Sequence, residues 1–65
     1  MGGNLYPELV RLLRAADCEF VRQAKGSHEI WRSPHAGKTF VVPKNTVKRH
    51  TANGILKEAG LPKAF

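Results

Sequence analysis

Lys25-Gly26-Ser27-His28 stands between two short runs of strand-forming residues, one carrying Phe20 and Val21, the other Ile30 and Trp31. A glycine among polar residues, between two such runs, predicts the tight turn of a β-hairpin. The strands are expected over residues 19–24 and 27–33, with Lys25-Gly26 as the turn. Side chains alternate along a strand, so His28, Ile30 and Arg32 share one face, and Ser27, Glu29, Trp31 and Ser33 the other. Each face carries one large apolar residue, and alternation alone leaves open which one is buried.

Working outward, Pro34-His35-Ala36-Gly37 reads as a second turn with Gly37 at positive φ. A third strand is expected over residues 38–43, through Thr39, Phe40, Val41 and Val42. Connections this short join antiparallel neighbours, so the three strands form a meander. On the N-terminal side, Leu5, Leu9, Leu12, Leu13 and Ala16 lie on one stripe, predicting a helix over residues 4–16 with Asn4 as N-cap and Pro7 in its first turn. On the C-terminal side a basic loop, residues 44–50, leads to a second helix. Thr51 is its expected N-cap, Ala52, Ile55, Leu56 and Ala59 its apolar face, and Gly60 with Pro62 its stop. The fold class is therefore α+β, an α-β-β-β-α chain with a three-stranded antiparallel sheet and both helices on one face. Residues 4–62 are expected as one domain, residues 1–3 as a flexible leader and residues 63–65 as a tail with a fraying Phe65.

Sixty-five residues make at most one small domain, with a core of marginal size. Cys18 is the only cysteine, which excludes an internal disulfide and fits a reducing, cytoplasmic setting. One cysteine and three scattered histidines have no zinc-ligand spacing, so no metal and no cofactor is expected. That leaves a partner chain or an economical core as the stabiliser. The formal net charge of +6 and a pI of about 10.1 favour a polyanionic partner, nucleic acid first, over a merely solvated basic surface. No apolar run reaches the length of a membrane span.

Three blocks then carry a resemblance: Lys25-Gly26-Ser27-His28-Glu29-Ile30-Trp31, then Val41-Val42-Pro43, then the run from His50-Thr51-Ala52-Asn53-Gly54 through Ile55-Leu56-Lys57-Glu58-Ala59-Gly60-Leu61. In this order and spacing they resemble the HicA toxins of HicA–HicB toxin–antitoxin pairs, over nearly the whole chain. The resemblance implies a double-stranded-RNA-binding-domain-like fold, matching the order derived above. It also implies an endoribonuclease that cuts messenger RNA without a metal, with His28 as the catalytic residue. A HicB-like antitoxin covering the active face is the implied partner, and the free toxin is expected to be a monomer. The chain departs from many members in having Cys18-Glu19 for Gly-Phe, His50-Thr51-Ala52 for Gly-Thr-Leu, and Lys44 for a histidine after the Val-Pro pair.

The chemistry suits the turn. Metal-free RNA cleavage needs a base for the 2′-hydroxyl, positive charge around the phosphorane and an acid for the leaving 5′-oxygen. Histidine, with an ordinary pKa of ~6.5, fills either proton-transfer role. Gly26 admits a phosphate close to the backbone, and the Gly26 and Ser27 amides and the Ser27 hydroxyl offer donors to it. Arg22, Lys25, Lys44, Lys48, Arg49 and His50 are the expected supporting RNA contacts. His50 is preferred to His35 as a second acid or base. For Trp31, stacking on a base, meeting the antitoxin and filling the core all stay open. A non-catalytic RNA-binding module, in which His28 only touches the backbone, is the competing function. If the site reads RNA, His28 belongs on the sheet face that the helices leave open.

Overall fold

The computed structural model describes residues 3–65; the first two positions of the expected leader lie outside the described residues. The order is α1 (Tyr6–Ala15), β1 (Glu19–Gln23), β2 (His28–Ser33), β3 (Lys38–Pro43) and α2 (Arg49–Glu58). The strands form one antiparallel sheet in the order β1-β2-β3. The α+β fold expected from the sequence is the fold observed, consistent with a double-stranded-RNA-binding-domain-like architecture.

Both helices end in the same way. The Cys18 amide reaches the Leu13 carbonyl at 2.9 Å and the Asp17 amide that of Arg14 at 3.0 Å; the Leu61 amide reaches Leu56 at 2.8 Å and the Gly60 amide Lys57 at 3.0 Å. These are Schellman closures, which need a left-handed residue just past the helix. Gly60 supplies it at φ +80° and Asp17 at φ +67°.

The helix starts differ from expectation. α1 begins at Tyr6, two residues late, because the Asn4 side chain accepts from the Tyr6 amide at 3.0 Å and holds the chain in a turn before the helix. α2 begins at Arg49, before the expected cap Thr51. The Leu5 amide on the Thr46 carbonyl (2.7 Å) and the Thr46 hydroxyl on the Pro43 carbonyl (2.6 Å) tighten the preceding loop, and the Ala52 amide already bonds the Lys48 carbonyl at 3.0 Å.

The core lies between the sheet and the two helices: Leu9 and Leu13 from α1, Trp31, Phe40 and Val42 from the sheet, and Ala52, Ile55, Leu56 and Ala59 from α2 or its end, with Cys18. Burying a large apolar side chain contributes about 1.5–3 kcal/mol, several times a surface ion pair. Within the chain, burial of this core is the larger stabilising contribution. Burial settles which sheet face is covered. Glu29, Trp31 and Ser33 of β2 are buried, whereas His28 and Arg32 are exposed. The face carrying His28 is the open one.

Trp31, left open between stacking and core, fills the core at 1% exposure. The Arg14 guanidinium lies over its ring at 5.1 Å, and Phe20 meets it edge-on at 6.1 Å. It presents no free ring face to a base. The last residues are held, not frayed. Asn53 accepts from the amides of Ala64 (3.1 Å) and Phe65 (3.0 Å) and donates to the Phe65 carbonyl at 3.1 Å, and the Phe65 ring packs on the core.

Candidate nucleic-acid interface

The hairpin turn is built around Gly26, whose φ of +65° lies in the left-handed region. The Ala24 amide donates to the His28 carbonyl at 2.9 Å and the His28 amide to the Lys25 carbonyl at 3.3 Å. The Gln23 side-chain amide then donates to the carbonyls of Gly26 and His28, both at 2.9 Å, and of Ala24 at 3.3 Å. With its carbonyls engaged in this way, the turn leaves the amides of Gly26 and Ser27 without a partner among the described residues. Lys25, Gly26, Ser27 and His28 are all exposed.

A bulge in β1 brings Arg22 to the same face as His28. Phe20 pairs with Trp31, so regular pairing would set Arg22 opposite Glu29 and aim it at the helices. Instead the register slips between Phe20 and Arg22, and Arg22 pairs with Ile30, on the open face. Phe20 keeps its place against Trp31.

The exit of β3 closes on the turn. His28 pairs with Pro43, and the Lys44 amide donates to the Ser27 carbonyl at 2.9 Å. Lys48, Arg49 and His50 follow within a few residues, exposed around the first turn of α2. The far end of α2 is anchored elsewhere. The Ser33 hydroxyl donates to the Ala59 carbonyl at 2.6 Å, and Gly60 sits against His35, where an added Cβ would come within 3.2 Å of the His35 Cβ. Since α2 runs about 15 Å back from that anchor, its basic N-terminal turn lies at the His28 end of the molecule. Arg22, Lys25, Gly26, Ser27, His28, Lys44, Lys48, Arg49 and His50 therefore share one end.

His35 does not join them. It lies seven positions from His28 along β2 and the turn beyond, roughly 20 Å at strand rise, and its Nε2–H donates to the Ala16 carbonyl at 2.8 Å. It pins the β2–β3 turn to the end of α1. No hydrogen bond joins His50 to His28 among the described residues. Nor do three or more His, Cys, Asp or Glu side chains cluster there as a metal site would require.

The electrostatics of α2 oppose its stability and favour an anion. Its N-cap, Lys48, makes no side-chain capping bond, and its first turn carries no acidic residue. Cations at the positive end of a helix dipole are unfavourable, by about 0.3–1 kcal/mol each when exposed. A phosphate at that end reverses the sign.

Compared with protein-family models, residues 6–61 match the one described as the HicA toxin of bacterial toxin-antitoxin. The chain belongs to the HicA toxin family. Neither the curated proteins nor the solved structures contain a significant match. Membership in the HicA family gives the chain a toxin role and implies a cognate antitoxin as its partner. Among the described residues no helix is long and apolar enough to cross a membrane.

Reading of the sequence missed Gln23 and Glu29, which the fold makes important. Gln23 shapes the turn through three carbonyls. Glu29 is buried behind His28 and accepts from the Tyr6 hydroxyl at 2.8 Å and the Trp31 Nε1–H at 2.9 Å, while Lys44 Nζ lies 3.9 Å from its other oxygen. Alternation sets Glu29 on the same face as Trp31, but until that face is known to be buried the carboxylate carries no signal.

Proposed function

We propose that this HicA toxin is a metal-independent endoribonuclease acting on messenger RNA, with His28 as its acid/base. The observation that carries the reading is the exposed imidazole of His28 on the open sheet face, beside a glycine turn with two amides that have no partner among the described residues. Cleavage proceeds by attack of a ribose 2′-oxygen on the adjacent phosphorus. The P–O5′ bond breaks, leaving a 2′,3′-cyclic phosphate and a 5′-hydroxyl. His28 takes the 2′-proton or supplies the proton to O5′. The Gly26 and Ser27 amides and the Ser27 hydroxyl stabilise the phosphorane oxygens. Arg22, Lys25, Lys48, Arg49 and His50 bind flanking phosphates. The toxin acts as a monomer in the cytoplasm, and the HicB-like antitoxin silences it by covering the His28 face.

The test is RNA cleavage in the presence of a chelator by the native chain and by His28→Ala. Cutting by the first alone, with RNA binding kept by both, supports the reading. A second reading, a binding module without chemistry, draws on the distance of His35 and the lack of a hydrogen bond from His50 to His28. It requires that the native chain bind RNA and leave it intact.

A further inference from the structure

Glu29 is a buried carboxylate with a charge that its two closest partners do not need. The Tyr6 hydroxyl and the Trp31 Nε1–H both donate to Oε1. A neutral amide oxygen at that position would accept both. The remaining oxygen, Oε2, has one cation within 4 Å among the described residues, the Lys44 ammonium at 3.9 Å. Burying a carboxylate is costly, and a neutral side chain of similar size is often no worse for stability. The negative charge is therefore directed at Lys44.

The Lys44 backbone is held at two points, and its ammonium lies near Glu29. Its amide donates to Ser27, the residue before His28, at 2.9 Å. Its carbonyl accepts from the Asn4 side chain at 3.3 Å, and its ammonium faces Glu29. A lysine is otherwise a flexible, strongly hydrated point charge. This one is half-exposed, at the edge of the His28 end, with its backbone tied by two hydrogen bonds and its ammonium drawn toward Glu29. A charge biased toward one position before the ligand arrives binds a phosphate at a lower ordering cost.

We propose that Glu29 is a positioning residue that fixes Lys44 as a phosphate contact of the RNA-binding end. The inference rests on reading this end as an RNA site. It does not require that the RNA be cut.

The test uses a short 2′-O-methyl oligoribonucleotide, which this chemistry cannot cleave, and the 15N-labelled full chain. The Lys44 ammonium resonance, assigned by its loss in Lys44→Met, is expected to move on adding the oligonucleotide. Affinities are then measured for the native chain, Glu29→Gln, Lys44→Met and the double variant. Lys44→Met is expected to weaken binding several-fold and lower the salt slope by about one. Glu29→Gln is expected to weaken binding about 3-fold in the native background and to have no effect beside Lys44→Met. A Lys44 resonance unmoved by RNA overturns the proposal, and so does Glu29→Gln binding as tightly as the native chain or more tightly. Equal effects of Glu29→Gln in both backgrounds assign it to the fold and overturn the proposal too. Should Glu29→Gln fail to fold, the Lys44 resonance and Lys44→Met decide the phosphate contact, and Glu29→Asp, with a carboxylate too short to reach Lys44, replaces it in the cycle. A native chain that shows this coupling yet cuts no RNA defeats the nuclease reading alone.

Discussion

The Lys44 amide donates to the Ser27 carbonyl at 2.9 Å, one residue beyond the His28–Pro43 pair that ends the β2–β3 ladder. This single backbone bond joins the glycine turn to the loop that opens α2. It makes one basic end out of two segments that lie about twenty positions apart in the chain.

Arg49 occupies that end at the expense of the helix that carries it. Arg49→Ala is expected to raise stability by about 0.3–1 kcal/mol, by removing a cation from the positive end of α2. The same change is expected to weaken RNA binding and lower the slope of log affinity against log salt by about one. Thermal melts and a salt series on one preparation check both. A loss of stability together with unchanged RNA binding contradicts the assignment.

Gly26 is required by its backbone and not by crowding. A Cβ there would meet nothing within 4 Å, but φ is +65°. Gly26→Ala is expected to cost about 1–2 kcal/mol and to reduce RNA binding as the turn amides shift. Gly26→Asn, which tolerates the left-handed region better, should cost less. Denaturant melts of the two variants give the order.

Tyr6 reports on the buried Glu29 cluster. Burial, followed by the hydrogen bond to Glu29 and the repulsion of its charge, pushes the Tyr6 hydroxyl up from 10 to about 12. Tyr6 is the only tyrosine, so tyrosinate absorbance isolates it. A midpoint near 12 is expected in the native chain and a lower one in Glu29→Gln. The raised value favours the folded state below pH 10, and that contribution is lost as the pH rises from 10 through 12. A native midpoint near 10 contradicts the burial and hydrogen bonding of the Tyr6 hydroxyl.

Much of the fold is legible in the sequence. The hairpin, the third strand and the glycine stop of α2 followed from residues that act locally: Gly26, Gly37, Gly60 and the short β-forming runs. The start of α2 was not legible, because Thr46 and Leu5 pull the loop tight from outside the segment. The β1 bulge was hidden as well. No residue in 19–23 announces it, yet it turns Arg22 to the face of His28. Glu29 required Tyr6 to arrive from 23 positions away. Alternation identified the two faces of β2 but not their burial, because Ile30 and Trp31 balance each other until the helices choose one.

Trp31 is the only tryptophan, and its burial is directly measurable. Its fluorescence is expected to resist acrylamide quenching and to change little on adding RNA. Trp31→Ala should cost about 3–5 kcal/mol. That is a large share of the roughly 3–10 kcal/mol available to a chain of this length, so the variant should melt far below the native chain or fail to fold. Strong quenching by RNA contradicts the core assignment.

His28 bears the central claim, and the direct measurement is cleavage of a defined messenger RNA in chelator, with products mapped at both new ends. The native chain is expected to leave 2′,3′-cyclic phosphate and 5′-hydroxyl ends. His28→Ala is expected to melt within a few degrees of the native chain, to bind the RNA with similar affinity, and to cut at least about 100-fold more slowly, the low end of what a general acid or base contributes. Cutting by His28→Ala at the native rate, or a folded native chain that binds the RNA and leaves it whole, contradicts it.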